Sequence, residues 1–344
     1  MRWAARPPPL VLLALGLGVC ALVVLAIWAS PFGGLPRINW HALSKVHVIW
    51  WWLALAAAVN LVSILAKGAV WKASLEALRV AGRIPWRAVV SAMFVGFLLN
   101  TVLAARVGEV ARVAVLKRRL RLQGLDIPFA TVAGTVIAEQ VVLGLVLVLF
   151  IGVMALVVPL PQWVTWGLLG VVAMLAVTGI VLGAAAWSSR RHGRSHTRTG
   201  RLARRLDALM AGQVLFGHPR QAAIALAASL VSWFAQVLAI SLALTAFGIH
   251  AGLAAAALVF VTTTLASLFP LLPAGIGVFQ GAVSLALVSA YGVAPAVALA
   301  FSVALQLVEM AFGIGLGLAC LAAEGLSLTR ARALISTENR TRPG

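Results

Sequence analysis

Apolar runs long enough to cross a membrane recur along the chain, at residues 9–29, 46–66, 129–157, 163–187, 222–247 and 295–323. A helix rises ~1.5 Å per residue, so about 20 apolar residues cover the ~30 Å of hydrocarbon in a bilayer and each run predicts one span. Two further apolar stretches, 88–105 and 251–291, do not read as simple spans. Tyr occurs once and no series of turn-separated alternating strands is present, which argues against an outer-membrane barrel. The pattern predicts an all-α polytopic membrane protein, a single integral membrane domain over 1–344. It has about six full spans plus two re-entrant hairpins, or eight helices.

Charge decides how the two irregular stretches are read. Lys67, Lys72, Arg79, Arg83 and Arg87 precede 88–105, and Arg106, Arg112, Lys117, Arg118, Arg119 and Arg121 follow it. The positive-inside rule places both flanks in the cytoplasm, so 88–105 is expected to enter and return. With a cytoplasmic N-terminus, only Arg37 and Lys45 of the 27 Lys and Arg fall outside, leaving 25 inside. Both termini, including the tail 324–344, are then expected on the cytoplasmic side of a bacterial plasma membrane. The same reasoning requires 251–291 to begin and end outside. Its breaks at Pro270, Pro273, Gly275 and Gly277 suggest a hairpin from the outer face, with two short full spans as the alternative.

Composition narrows the class further. Of 344 residues 62% are apolar and 10% charged, and the mean hydropathy is +1.05, more apolar surface than a water-soluble globule hides. A net charge of +19 would suggest nucleic acid on a soluble basic domain, but no such domain is apparent and no nucleic-acid partner is expected. The first apolar run is longer than a signal-peptide core and is read as a retained span. Cys20 and Cys320 lie in apolar runs without metal-ligand spacing. Residues 188–220 carry eight Arg and three His against one Asp, with Leu202, Leu206 and Leu209 at helical spacing. This predicts a basic interfacial loop on anionic lipid rather than a site. No nucleophile–base set, phosphate loop, dinucleotide loop or cofactor motif is visible, and neither a catalytic residue nor a metal site is assigned.

The two irregular stretches correspond. Residues 104–108, Ala-Ala-Arg-Val-Gly, match 273–277, Pro-Ala-Gly-Ile-Gly, in spacing, and Pro128 and Pro295 then open long apolar runs. Eleven residues past each proline stand Glu139 and Gln306. Three crossings per half turn the second copy over, so 9–157 and 163–323 read as an inverted repeat, the sequence pointer to a transporter with a mid-membrane site. Glu139 lies ~16 Å along its helix, about half the hydrocarbon thickness, where an ionisable group costs at least ~2.5 kcal/mol. It must face the bundle interior, paired or protonated. Glu309 shares a helical face with Gln306. Arg106, Glu109 and Arg112 share another at the hairpin exit, where a guanidinium suits a phosphate and Glu109 is placed to hold that of Arg106. The alternatives are a structural hydrogen bonder at Glu139 or Glu309 and plain topological anchoring by the arginines.

Asn100, Ala105, Arg106, Gly108, Glu109 and Arg112, then Glu139, then Pro273 to Gly277 and Gly292-Val293, resemble the flippase-like membrane domain of lysylphosphatidylglycerol synthases and their stand-alone relatives. The likeness covers roughly 10–323. It implies a domain that handles lipids with modified head groups: anionic or aminoacylated phospholipids, hopanoids or polyprenyl-linked sugars. The soluble aminoacyl-transfer domain is expected to be missing, so synthase activity is not carried over. Gln140, Leu143, Gln280 and Gln306 are neutral where the family usually carries charge, which weakens an ion-coupled mechanism.

The leading reading is translocation of such a lipid or lipid-linked glycan. One hairpin would present Asn100, Arg106, Gly108, Glu109 and Arg112, the other Pro273, Gly275, Gly277 and Gln280, with Glu139, Gln306 and Glu309 between them. The rivals are an intramembrane lipid-modifying enzyme and a non-transporting partner of a synthase or glycosyltransferase.

Overall fold

The computed structural model describes residues 46–80, 84–102, 107–157, 209, 211–267 and 277–323, with scattered helical positions between 166 and 180. The expected span at 9–29, most of 163–187, loop residues 188–208 and the tail 324–344 lie outside the described residues. Among them the chain is helical throughout. In order run α1 (Trp50–Glu76), α2 (Trp86–Val102), α3 (Val107–Leu122), α4 (Phe129–Val157), α5 (Pro219–Ala246), α6 (Gly252–Ser267), α7 (Val278–Tyr291) and α8 (Pro295–Ala323). Four of these, α1, α4, α5 and α8, are long and apolar enough to cross a membrane.

Local sequence sets the boundaries. Pro219 opens α5 after an extended His218, and Pro295 opens α8; a helix start needs no amide hydrogen from its first residue. Gly292, at φ +62°, closes α7 in the left-handed conformation that a side chain disfavours. In α3, Glu109 sits in the first turn and Arg119 and Arg121 in the last, each complementing the helix dipole.

Helix α1 lies antiparallel against α5 over its whole length. The Ile49 amide donates to Ala246 O at one end (2.8 Å), and Ser63 meets Ser232 midway (3.2 Å). Helix α4 packs on both, its Leu143 carbonyl accepting from Trp233 Nε1 at 3.2 Å. Aromatic edges of Phe150, Phe234, Trp233 and Phe260 fill the space among α4, α5 and α6.

Two findings refine the expected elements. The apolar run 46–66 continues as helix to Glu76, so Lys67 lies inside α1 rather than beyond its end. Residues 86–102 form one helix rather than a helical pair, and α3 runs back alongside it. Arg119 Nη1 reaches the Arg87 carbonyl (3.4 Å), while Gly108 lies against Gly96 and Asn100, so α2 and α3 run antiparallel from base to tip. Basic residues lower the hydropathy of α3, but Gly108, Ala111, Val115 and Leu116 are buried. At 17 and 16 residues, each arm is about 25 Å long, short of the ~30 Å core.

Candidate functional site

The tip of the α2–α3 pair is built on close backbone approach. A Cβ on Gly96 would come within 2.9 Å of the Gly108 carbonyl, and one on Gly108 would overlap Gly96 O and the Asn100 side chain. Small residues admit such contact between membrane helices. The freed space lets Asn100 Oδ1 accept from the Gly108 amide at 2.7 Å, one of the unpaired donors at the start of α3. Asn100 Nδ2 then stands 3.5 Å from Glu109 Oε1.

One turn further, Arg112 is held by two carboxylates. Its Nη2 lies 2.6 Å from Glu109 Oε2 and its Nη1 2.9 Å from Glu139 Oε2 on α4. Arg112 and Glu139 are only 4% and 2% exposed, so Arg112 is internally neutralised rather than solvated. The guanidinium lies over the Trp71 ring at 4.8 Å from its centroid, and Trp71 Nε1 donates to Thr135 Oγ1 at 3.1 Å. Helices α1, α3 and α4 thus meet at one guanidinium. A charged group at this depth is costly unless paired, and losing either partner would strand the other.

A second polar group lies where α1, α5 and α8 meet. Glu309 Oε1 accepts from Gln236 Nε2 (3.0 Å), whose Oε1 accepts from Ser63 Oγ (3.0 Å). Lys67 lies with Nζ 4.9 Å from the centre of the Trp233 ring, one turn along α1 from Ser63 on one side and from Trp71 on the other. Lys67 therefore connects the two groups. Reading 46–66 as a complete span had assigned this lysine to topology. The available signal was its spacing: Asn60, Ser63, Lys67, Trp71 and Ser74 recur at three or four residues and form one stripe on α1.

At the other irregular stretch, the Gly277 amide donates to Gln280 Oε1 (2.6 Å), and Gln280 Nε2 donates to Gln306 Oε1. Gln306 is one turn from Glu309 on α8, so this amide pair adjoins the second polar group. Of the residues chosen from sequence, Asn100, Gly108, Glu109, Arg112 and Glu139 form one assembly and Gly277, Gln280 and Gln306 another. Glu309 lies beside the second. Arg106, Pro273 and Gly275 lie outside the described residues, and the partner of Glu109 is Arg112. A cavity of about 350 Å³ between the α5–α6 and α7–α8 turns is lined by Phe247, His250 and Tyr291 among others, and by none of the candidates.

An all-helical, multi-pass membrane protein with ion-paired groups packed between its helices is the class that fold and site define. The chain belongs to the family described as Lysylphosphatidylglycerol synthase TM region, which matches residues 11–317. No curated protein and no solved structure matches it.

Proposed function

We propose that this protein moves a lipid with an anionic or modified head group, or a lipid-linked glycan, from one leaflet to the other. The observation that carries this reading is the buried Arg112, shared by Glu109 and Glu139, with a second polar group around Glu309 and Lys67 on the neighbouring helices. A purely structural bundle gains nothing from so many ionic groups at membrane depth. Family membership supports a lipid-related role. In this reading α2–α3 and α6–α7 are re-entrant pairs from opposite faces of a bacterial inner membrane and belong to inverted repeats, with both termini cytoplasmic. A head group displaces the internal ion pairs as it passes, while its tails stay in lipid.

The test is a leaflet assay. Liposomes of phosphatidylethanolamine and phosphatidylglycerol carrying a fluorescent phosphatidylglycerol, an aminoacylated analogue or a polyprenyl phosphate are exposed to an impermeant quencher. Wild-type protein should render more than half of one probe quenchable. Glu139→Gln should abolish this, and Arg106→Ala should lose far more activity than Arg119→Ala, because Arg119 serves the base of the hairpin. Rates equal to empty liposomes for every probe would remove the translocation reading. Cysteines at positions 84 and 120 should react with an impermeant reagent from the same, cytoplasmic side; reaction from opposite sides would refute the hairpin.

Convergence of Glu109 and Glu139 on one point also suits an intramembrane enzyme with paired carboxylates. Appearance of a chemically altered probe lipid in the same vesicles would favour that second reading.

A further inference from the structure

The α1–α5 seam is polar along a face that the Arg112 assembly does not use. From α1 it receives Asn60, Ser63 and Lys67, and from α5 Ser229, Ser232, Trp233 and Gln236, each set at helical spacing. Asn60 Nδ2 and Ser229 Oγ are buried and have no hydrogen-bond partner among the described residues. Buried amides and hydroxyls are ordinarily satisfied, by water where the protein offers nothing, so a seam with two such groups suits hydration. Lys67 sits on this seam with Trp233 beneath its ammonium. Among the described residues no carboxylate oxygen lies within ion-pair distance of Lys67 Nζ, yet one turn to either side of it stand Ser63, hydrogen-bonded through Gln236 to Glu309 on α8, and Trp71, stacked on the Arg112 that pairs with Glu139 on α4.

We infer that Glu309 and Lys67 form a proton-coupling relay that acts on the Arg112–Glu139 ion pair. A proton from the aqueous side reaches Glu309 along the seam and converts its carboxylate to the neutral acid. Lys67, its ammonium seated over the Trp233 ring, then loses its attraction to Glu309 and is drawn to Glu139. There it competes with Arg112, whose second carboxylate, Glu109, lies on its own helix and cannot hold α3 against α4. Release of the proton reverses each step. The charged groups the relay joins to Lys67 are Glu309 on α8 and Glu139 on α4, the latter paired with Arg112; at the seam α5 presents Ser229, Ser232, Trp233 and Gln236, all neutral. The neutral glutamines at 140, 280 and 306 are thus no obstacle to ion coupling, because the relay uses other residues.

The relay rests on the proposed translocation only for its purpose, and its test requires no lipid movement. Purified protein in phosphatidylethanolamine–phosphatidylglycerol liposomes is stepped in pH and followed by infrared difference spectroscopy. Spin labels on Leu122→Cys and Leu145→Cys, with both native cysteines replaced by serine, report the separation of α3 from α4. Wild type should show a protonated-carboxyl band that vanishes in Glu309→Gln and a label distance that changes over the same pH range. In Lys67→Gln the band should titrate about one pH unit away from wild type, since a neighbouring charge of either sign moves such an equilibrium, and the distance should no longer respond. Should Lys67→Gln yield no protein, Trp233→Phe, which weakens the seat of the ammonium, should move both readouts in part.

A label distance that follows pH equally in wild type and Lys67→Gln would overturn the inference, as would a band indifferent to Glu309→Gln. Proton-linked movement in a protein that transports none of the probe lipids would keep the relay and defeat the translocation reading. In vesicles that do transport, an imposed gradient of one pH unit should shift the steady-state leaflet ratio of the probe by up to about tenfold per proton. The shift should be absent in Glu309→Gln.

Discussion

The pairs α2–α3 and α6–α7 are both made of helices too short to cross a bilayer comfortably, yet they are held by different forces. The first is locked by backbone contact and charge: Gly96 against Gly108, Asn100 on the Gly108 amide, and Arg112 tied to α4 through Glu139. In the second, Thr262, Thr263 and Thr264 return their hydroxyls to carbonyls of their own helix. Its side-chain hydrogen bonds to the rest of the bundle are neutral, between Gln280 and Gln306 and between Ser284 and Ser302. A Cβ built on Gly277 or Gly281 would meet nothing within 4 Å. One pair is keyed to the bundle by charge, whereas the other is held by apolar burial, with Phe260 of α6 and Val283 of α7 in the core, and by neutral polar links. A motion triggered by charge must therefore act on α3, and α6–α7 can follow without an electrostatic penalty.

The largest effect that would break this contrast is at Arg112. Arg112→Leu leaves Glu139 buried without its counter-charge, a loss of about 3–5 kcal/mol for a buried pair broken from one side. The thermal unfolding midpoint in detergent should fall accordingly, or the variant should fail to accumulate. A midpoint within a degree of wild type would show that the ion pair does not anchor α3.

Next in size is the glycine contact. Gly108→Ala forces α3 away from α2, an overpacking cost of about 1–3 kcal/mol, whereas Gly281→Ala should change stability by no more than about 0.5 kcal/mol. Paired unfolding curves in one detergent check the difference. Equal losses would mean that the two pairs are packed alike and that the contrast lies in charge alone.

What the chain revealed beforehand follows the same division. Glu139 could be placed at mid-depth because a helix rise and a proline start give depth directly, and its burial beside Arg112 agrees with the demand that such a group be paired. The return arm was harder to see. Helix α3 carries Lys117, Arg118, Arg119 and Arg121, and mean hydropathy registers those charges, not the buried face of Gly108, Ala111 and Leu116. Lys67 was assigned to the end of a span for the same reason. A long stem lets a lysine lie within a helix and meet a tryptophan of its neighbour, and only the stripe from Asn60 to Ser74 hinted at it. The equivalence of Glu139 and Gln306 in position told nothing of their partners, a guanidinium for one and an amide for the other.

The smallest effect tests that last equivalence. Gln306 is 5% exposed and accepts from Gln280, whose own carbonyl oxygen remains on the Gly277 amide. Gln306→Leu removes the neutral hydrogen bond from Gln280, and Gln280, only half-buried, can turn its free amide to another acceptor. The expected loss is about 0.5–1.5 kcal/mol, well below that of Arg112→Leu. If the amide pair only joins α7 to α8, probe-lipid movement should change less than it does in Glu139→Gln. A Gln306→Leu protein as stable as wild type but inactive in the leaflet assay would give a different answer: the two polar assemblies would share the work despite their unequal charge, and the contrast between the helix pairs would not extend to function.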